Sequence, residues 1–323
     1  MLLTTQISPP TEDALARAAA HLRSGALVAF PTETVYGLGA DATNPIAVAR
    51  IFEAKGRPQF NPLIVHVLDA AAAAELGQFT ANAKKLAAAF WPGPLTLVVN
   101  RADNCPIADL VSAGLPTLAL RVPNHAIARA LLEAAGKPLA APSANRSGHV
   151  SATRAEHVAA DLAGAVSMIL DGGPVQHGLE STVLDVTSDE IVMLRPGAIP
   201  LARLEAVVGT TIARAEGSSS NRPQSPGQLE SHYATHAPLR LNATEVREGE
   251  ALLAFGPQVP ATSGAVVNLS PTGDLIEAAA NLFAALRDLD ARNPSAIAVM
   301  SIPAHGLGDA INDRLKRAAA PRG

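Results

Sequence analysis

Short apolar runs alternate with segments of helical periodicity along the N-terminal two-thirds of the chain. A helix is predicted over residues 11–24, because Thr11 can cap its first turn and Gly25 stops it. The next run, Ala26–Phe30, is short and wholly apolar, so it predicts a buried strand that ends at the Pro31 loop. Further strands are predicted at Leu63–Leu68, Leu95–Asn100, Thr117–Val122, Val166–Asp171, Ser181–Val186 and Glu190–Arg195. Helices are predicted between them at Pro45–Ala54, Ala81–Phe90, Asn124–Ala135 and Thr153–Leu162. This mixture indicates an α/β sandwich built on a mixed sheet.

The pattern changes at Gly217–Gln228, which is rich in serine, proline and polar residues and has no apolar periodicity. Such a composition predicts an extended connection between two domains. Beyond Pro238 strands and helices alternate again, which predicts a small parallel α/β unit. Its elements are predicted at Ala251–Phe255, Ala265–Asn268, Asp274–Leu289, Ala296–Ser301 and Asp309–Ala319.

Composition narrows the class of protein. A length of 323 residues exceeds the usual size of one hydrophobic core, and the net charge of -4 gives no overall attraction to nucleic acid or to an acidic membrane. Any phosphate binding therefore has to be local. The single cysteine, Cys105, fits a reducing compartment. Met1–Pro10 lacks the features of a signal peptide, and no apolar run approaches the roughly 20 residues that a bilayer requires. We therefore expect a soluble cytoplasmic protein that does not enter a membrane.

The segment Pro31–Gly39 follows a predicted strand and carries two threonines, a carboxylate, a phenol and two glycines. It predicts a loop that can approach a ligand closely, or an ordinary polar turn. A dinucleotide fingerprint should begin directly at the strand end, whereas six residues separate Phe30 from Gly37. The segment is therefore not interpreted as a dinucleotide site.

A basic loop, Lys55–Pro62, holds two cations between prolines just before a strand. Prolines fix the backbone, and the point charge of Lys55 beside the planar fork of Arg57 suits phosphate or carboxylate groups. The alternative is a solvated basic loop. His66, in the strand that follows, faces the side opposite to its two valine neighbours and is either a structural histidine or a ligand-binding one.

Arg121 lies near the end of the predicted strand Thr117–Val122. An arginine there either pairs with an internal carboxylate or points at an anionic ligand. Pro142–Gly148 is a hydroxyl-rich turn that can offer hydrogen-bond donors to phosphate oxygens. Gly178–Thr182 and Leu194–Gly197 have a similar character, although each can also be only a turn.

Metal and nucleophile sites find little support. His232 and His236 have helical i, i+4 spacing but no third ligand is evident, so no metal ligand is assigned. The sequence has no G-x-S-x-G elbow, and Cys105 is interpreted as an incidental thiol.

Taken in order, these motifs closely resemble the Sua5/YrdC family. The resembling segments are Pro31–Gly39, Lys55–Pro62, Trp91–Thr96, Thr117–Pro123, Pro142–Asn145, Glu180–Thr182 and Leu194–Gly197. The two-domain Sua5 branch is resembled by Ser225-Pro226-Gly227, by Ser231-His232-Tyr233-Ala234 and by Asp313-Arg314-Leu315 in the α/β tail. The resemblance implies a YrdC-like domain with a twisted mixed sheet at residues 1–208. A linker and lid at 209–237 would join it to a smaller Rossmann-like parallel α/β domain at 238–323.

The resemblance also implies threonylcarbamoyl-AMP synthase activity. L-threonine, bicarbonate and ATP, which brings Mg2+ with it, would give threonylcarbamoyl-adenylate and pyrophosphate for the modification of a tRNA adenosine. A downstream tRNA threonylcarbamoyl transferase is the expected partner, without stable binding of nucleic acid.

Site residues follow from the resemblance at matching positions. ATP would be held by Arg57, Asn61, Thr117, Ala141, Ser143, Arg195 and Tyr233. Threonine would be held by Thr34, His66, Arg121 and Ser181. Lys55, Arg57 and Ser143 are the expected catalytic residues, and Tyr233 is expected to lie on a lid that keeps water from the labile anhydride.

Two other functions fit part of the pattern. One is carbamoyl transfer as in hydrogenase maturation, but the proteins that perform it resemble larger assemblies with cysteine clusters that this chain lacks. The other is an RNA-binding module, which the net acidity and the absence of a basic, aromatic stripe disfavour.

Overall fold

The computed structural model describes residues 5–215 and 232–321. The connection predicted at Gly217–Gln228, with the Ser225-Pro226-Gly227 motif, and Ser231 lie outside the described residues. Two sheets are present in the described part, a large sheet in the N-terminal region and a small sheet in the C-terminal region.

The large sheet is mixed. Its strands are β1 (Gln6–Ser8), β2 (Val28–Phe30), β3 (Gly37–Asp41), β4 (Ile64–His66), β5 (Gly77–Gln78), β6 (Leu95–Arg101), β7 (Thr117–Arg121), β8 (Leu139–Ala140), β9 (Met168–Leu170), β10 (Thr182–Asp185), β11 (Val192–Arg195) and β12 (Ala213–Arg214). Their order is β1-β9-β2-β3-β8-β4-β7-β6-β10-β11-β12, and β5 pairs with β6 off this path. Helices accompany it as α1 (Glu12–Arg23), α2 (Pro45–Lys55), α3 (Ala70–Leu76), α4 (Ala81–Phe90), α5 (Ala126–Ala135), α6 (Ala155–Leu162) and α7 (Leu201–Val208). A 3-10 turn covers Asp109–Ser112.

The small sheet is parallel throughout its described pairs. Its strands are β13 (Leu239–Arg240), β14 (Glu250–Ala254), β15 (Val266–Asn268) and β16 (Ala296–Val299), in the order β13-β16-β14-β15. The helices α8 (Leu275–Asp290) and α9 (Gly308–Ala319) complete this region. The prediction of a mixed α/β domain followed by a smaller parallel one is confirmed, while the exact domain bounds stay a prediction.

Local signals explain where the first helices begin and end. The Thr11 hydroxyl accepts from the Ala14 amide at 3.2 Å, which caps α1, and Gly25 follows its end with a φ of 80°. Asn44 caps α2 in the same way, and Gly56 ends it in the left-handed region. Lys55 and Arg57 therefore stand at a fixed helix end.

Strand β3 differs from the prediction. Residues 37–39 were expected in the loop that begins at Pro31, but they form a strand antiparallel to β2, with Gly37 opposite Phe30. A Cβ atom at Gly39 would lie 2.8 Å from a carbon of the Phe30 ring. The two glycines thus let the large sheet continue beside an aromatic ring, which a search for apolar alternation does not detect.

The sheet register brings candidate site residues together. Strands β4 and β7 are parallel, and His66 pairs with Arg121 at their carboxyl ends. The Ala141 amide, just after β8, donates to the Ile64 carbonyl at 2.9 Å. The ends of three neighbouring strands therefore meet at one place.

The two regions share a packed interface. Val35, Val150 and Leu179 belong to the same apolar cluster as the small-sheet helices. The loop before β10 lies against α8 so closely that a Cβ atom at Gly178 would be 2.4 Å from two backbone oxygens of that helix. Among the helices described, none combines the length and the apolar character needed to cross a bilayer.

Candidate active site

A cavity opens at the carboxyl ends of β4 and β7, between the large sheet and the segment that leads into the small sheet. Its lining residues surround about 530 Å³ of empty space, part of which is open to solvent. It is lined by many of the predicted residues: Arg57, His66, Arg121, Ala141, Ser143, Ser181, Arg195 and Tyr233. Thr32, Val35, Gly37, Ile64, Pro142, Glu180 and His232 also line it, and sequence reasoning had assigned none of these as site residues.

Lys55 supports the cavity wall from behind. The side chain is buried, and its Nζ donates to the Ser143 carbonyl at 2.6 Å and to the Asn145 carbonyl. Burial and the neighbouring Arg57 charge hold the pKa of Lys55 well below its usual range. Lys55 therefore fixes the loop that carries Ser143, and it is not among the residues that line the cavity.

Three other predicted residues, Asn61, Thr34 and Thr117, are not among those that line the cavity. Asn61 is fully buried, and neither polar atom of its side chain has a hydrogen-bond partner among the described residues. The Thr34 hydroxyl lies 2.8 Å from that of Thr32, which does line the cavity. Thr117 is half-buried at the start of β7. A buried amide without a partner is costly, so Asn61 is suited to a ligand that completes its hydrogen bonds.

Arg57 is held by its own loop. Its Nε donates to the Asn61 carbonyl at 3.2 Å and its Nη2 to the Pro62 carbonyl at 2.9 Å. Burial and the nearby Arg195 charge lower its pKa. Two cations thus share one cavity, which favours an anion between them.

Arg195 is held by Ser181. Its Nη2 donates to the Ser181 carbonyl at 3.0 Å and to the Ser181 hydroxyl at 3.1 Å. The same hydroxyl lies 2.7 Å from that of Thr96 on β6. The guanidinium is therefore fixed by the residue just before β10, the strand that pairs with β11.

A buried ion pair stands at the end of β7. An oxygen of Glu33 lies 2.8 Å from Nη2 of Arg121, and the two side chains are only 2% and 4% exposed. Burial opposes the ionisation of Glu33, but the Arg121 charge outweighs it and the pKa of Glu33 lies below its usual value. Arg121 therefore lines the cavity while Glu33 holds it from behind.

His66 stands next to this pair. Burial, with a smaller contribution from the Arg121 charge, lowers the pKa of His66 to about 3. Its Nδ1 has no hydrogen-bond partner within the described ranges, and its ring meets that of Phe30 edge to face. The imidazole is therefore neutral near pH 7 and can act as a hydrogen-bonding group.

A second buried ion pair crosses the interface between the two regions. An oxygen of Glu180 lies 2.8 Å from Nε of Arg314 on α9, and its other oxygen accepts from the Ser151 hydroxyl at 2.6 Å. Burial opposes ionisation, but the charges of Arg314 and then Arg195 lower the pKa of Glu180 to about 2. Glu180 lies in a motif noticed from sequence, but the acid itself was not predicted.

Tyr233 closes one side of the cavity. Its φ is 64°, its ring stacks on Phe283 of α8 with centroids 5.3 Å apart, and Arg314 lies 5.2 Å from the ring centroid. Burial raises its pKa to about 12. A rare tyrosine in a polar connection was the sequence signal, and the contacts with α8 and α9 were not foreseeable from it.

The two histidines with helical spacing, His232 and His236, lie in different surroundings. His232 lines the cavity, whereas the exposed His236 ring lies 2.8 Å from Asp290. Within the described residues, no group of three or more histidine, cysteine, aspartate or glutamate side chains could hold a metal ion.

Two family models together match nearly the whole chain. The model described as telomere recombination matches residues 20–197, and the one described as threonylcarbamoyl-AMP synthase, C-terminal domain, matches residues 199–320. The threonylcarbamoyl-AMP synthase of Bacillus subtilis is 42% identical over 324 residues, which cover 95% of this chain and 93% of that one. The chain belongs to the threonylcarbamoyl-AMP synthase family.

Two further similarities agree. The threonylcarbamoyl-AMP synthase of Pyrococcus abyssi is 41% identical over 94% of each chain. The crystal structure of P. abyssi Sua5 complexed with L-threonine superposes with a TM-score of 0.89 at 37% identity, covering 99% of this chain and 98% of that one. The resemblance to the two-domain Sua5 branch is therefore confirmed for this member of the threonylcarbamoyl-AMP synthase family.

Proposed function

We propose that this chain makes threonylcarbamoyl-adenylate and pyrophosphate from L-threonine, bicarbonate or carbon dioxide, and ATP. The supporting observation is that three buried arginines, Arg57, Arg121 and Arg195, line one cavity of a member of the synthase family. The reaction joins two anions, a carbamate and a triphosphate. Fixed cations in a buried site offset their repulsion more strongly than they would in water.

Threonine lies in the half of the cavity that contains Arg121, with Thr34, His66 and Ser181. The Arg121 fork suits the amino-acid carboxylate, and Glu33 holds it in place at 2.8 Å. Since His66 is neutral, it adds a hydrogen-bonding group without a further charge.

ATP lies in the other half. Arg57 and Arg195 contact its phosphates, and Asn61, Thr117, Ala141, Ser143 and Tyr233 complete the surroundings. Mg2+ enters as part of the substrate, bound to the triphosphate, because Mg2+ on nucleotides is held largely by phosphates and water. The unsatisfied amide of Asn61 gains partners in this arrangement.

The chemistry needs positioning rather than an enzyme nucleophile. The threonine amine adds to carbon dioxide, which forms from bicarbonate, and loses a proton to give a carbamate. A carbamate oxygen then attacks the α-phosphorus of ATP, the bond to the bridging oxygen breaks, and pyrophosphate leaves with Mg2+. Orientation of two bound substrates supplies much of the rate.

Two residues act at the edges of this reaction. Lys55, expected to join the phosphate cluster, instead acts through the Ser143 loop, given its bonds to the carbonyls of residues 143 and 145. Tyr233 covers the nucleotide and keeps water from the mixed anhydride. Because that product is labile, it has to be consumed promptly, and we infer that a group-transfer enzyme that modifies tRNA consumes it.

The test is pyrophosphate release from MgATP, measured with both, either or neither of threonine and bicarbonate. Release that depends on both is expected. Release without threonine would contradict the proposal, and salt-dependent tRNA binding without any ATP turnover would favour the RNA-binding alternative. Alanine in place of threonine is a matched control, since it can form a carbamate but lacks the hydroxyl.

A further inference from the structure

Arg314 is an unusual residue for the outer helix of a small domain. It belongs to α9, yet its side chain is fully buried. Its Nε contacts Glu180 of the large-sheet region at 2.8 Å, and its Nη1 contacts Asp313 at 2.6 Å. Burying a guanidinium is costly unless its partners are well placed, so this arrangement calls for a role beyond helix packing.

Two of the groups that Arg314 contacts belong to residues that line the cavity. One is the Glu180 carboxylate, and the other is the Tyr233 ring, whose centroid lies 5.2 Å from the guanidinium carbon. Tyr233 has a left-handed backbone, which costs energy for a bulky residue and persists only where neighbours enforce it. Phe283 and Arg314, both from the C-terminal region, supply that enforcement on the ring.

The backbone around Tyr233 is held from both sides. The His232 amide donates to the Arg317 carbonyl of α9 at 3.2 Å, and the Ala234 amide donates to the Gly148 carbonyl of the large-sheet region at 2.7 Å. Arg314 thus lies at the point where α9, the linker end and the loop before β10 meet.

The charges give this contact a specific consequence. Glu180 is a negative wall residue in a cavity proposed to take a triphosphate, and it lies in the fields of both Arg314 and Arg195. A carboxylate in that position repels phosphate and attracts Arg195 unless a cation behind it balances the charge. Arg314 is placed behind it.

We propose that Arg314 is a positioning residue for the nucleotide half of the site. It holds Glu180 away from Arg195 and holds the Tyr233 ring over the cavity, so that the C-terminal domain forms part of the ATP site. This inference rests on the proposed function for the identity of the ligand.

Steady-state pyrophosphate release by Arg314→Met and Arg314→Lys provides the first test. Methionine keeps much of the length but no charge, and we expect the KM for ATP to rise at least tenfold while the KM for threonine stays within twofold. Lysine keeps the charge but not the fork, and we expect it to recover part of the ATP affinity. An unchanged KM for ATP in Arg314→Met would overturn the inference.

A double variant separates charge balance from packing. If Arg314 acts by balancing Glu180, then Arg314→Met combined with Glu180→Gln removes the charge that needs balancing. We expect the KM for ATP of the double variant to fall well below that of Arg314→Met alone. A double variant that binds ATP as poorly as, or worse than, Arg314→Met would contradict the charge-balance role.

Arg287 offers a matched control. It is another arginine of the C-terminal region at the interface, it lies 2.7 Å from Asp161, and it is not among the residues that line the cavity. Arg287→Met should lower thermal stability yet leave the KM for ATP within twofold of wild type. An equal rise in both methionine variants would show a general packing effect and overturn the inference.

A binding measurement distinguishes failure of the Arg314 inference from failure of the proposed function. If Arg314→Met does not fold, Arg314→Lys decides the question, and an unchanged KM for ATP in that variant would overturn the inference. If the wild-type protein releases pyrophosphate without threonine, the proposed function fails. Calorimetric binding of a nonhydrolysable ATP analogue to wild type and Arg314→Lys then still tests Arg314, and equal dissociation constants would reject its role.

Discussion

Two buried arginine–glutamate pairs stand at the cavity, each with a contact of 2.8 Å, and they are built in opposite senses. In the pair Arg121–Glu33 the arginine lines the cavity and the carboxylate stands behind it. In the pair Glu180–Arg314 the carboxylate lines the cavity and the arginine stands behind it. The first pair lies within the large-sheet region, whereas the second joins the two regions.

The difference indicates two uses of one interaction. In the proposed function, Glu33 makes the Arg121 cation available to an anionic substrate in a fixed direction. Arg314 does the reverse and balances an anion that would otherwise compete with the substrate. Neither pair is expected to add much net stability, because desolvation offsets attraction, but breaking either one leaves a buried charge.

The largest expected effect comes from Arg121→Met. It leaves the Glu33 carboxylate buried without its cation, so the free energy of unfolding should fall by roughly 3–5 kcal/mol and threonine-dependent turnover should be lost. Urea unfolding and pyrophosphate release measure the two effects. Arg17→Met, which breaks an exposed pair with Asp13, is the control and should cost less than about 1 kcal/mol. Equal losses of stability in Arg121→Met and Arg17→Met would show that the buried pair matters no more for folding than an exposed pair.

Removal of a cation that is proposed to contact the phosphates comes next. Arg57→Ala and Arg195→Ala should each cost about 2 kcal/mol or more in transition-state binding, which is roughly a thirtyfold loss in kcat/KM for ATP. The comparison predicts that Arg195→Ala resembles loss of the second pair, with ATP affected more than threonine. Unchanged ATP kinetics in both variants would reject the assignment of this half of the cavity.

Acid unfolding sharpens the comparison of the two carboxylates. The pKa of each is lower in the folded protein than the ordinary value of 4.5, and that of Glu180 falls to about 2. Their stabilising contribution is therefore fully present above about pH 4.5 and is lost as the pH falls toward the folded pKa.

We accordingly expect the stability difference between wild type and Glu180→Gln to shrink between about pH 4.5 and pH 2. The stability difference between wild type and Glu33→Gln should also shrink on acidification. Urea midpoints at several pH values measure both, and a difference that grows on acidification would contradict the charged state assigned to these groups.

Substitution of Tyr233 should affect turnover less, and the effect should be larger when the aromatic ring is removed than when only the hydroxyl is removed. Tyr233→Phe keeps the stack on Phe283 and should change turnover less than threefold, while Tyr233→Ala should lower the yield of adenylate per ATP consumed by admitting water. The ratio of adenylate formed to AMP released measures this. An unchanged ratio in the alanine variant would argue against water exclusion by the ring.

The smallest expected effect is the absence of a titration of the His66 ring near neutral pH. Since its pKa is about 3, its ring should show no titration above pH 5 in nuclear magnetic resonance spectra of histidine-labelled protein. Comparison with His66→Asn assigns the resonance, and the unfolded protein in urea should titrate near about 6.5. A transition near pH 6.5 in the folded protein would show that the histidine is not held neutral.

The sequence predicted the long elements well because their signals are local. Thr11 and Gly25 bound α1, and the apolar run ending at Phe30 forms β2, as expected. Residues 37–39 were missed as a strand because what places them there is a close approach to Phe30, which is a tertiary fact. Short strands such as β8 likewise carry too few residues to show a period.

The site was predictable residue by residue but not contact by contact. Arg121 could be assigned either to an internal carboxylate or to a ligand, and the structure shows it beside Glu33 and lining the cavity at once. Lys55 was expected among the phosphate-binding groups, yet its partners are backbone carbonyls. Arg314 stood out only as part of a motif, because Glu180 lies 134 positions away along the chain and Tyr233 lies in the predicted linker.

Gly178 carries a consequence for anyone who wishes to separate the two regions. Its φ of 66° and the two α8 carbonyl oxygens 2.4 Å from its missing Cβ leave no room for even one methyl group. The methyl group of an alanine there would clash with α8 at the interface between the two regions. It would push α8 away from the loop that ends at Glu180 without altering any charge. Gly178→Ala therefore tests by steric means alone whether contact between the two regions affects nucleotide binding.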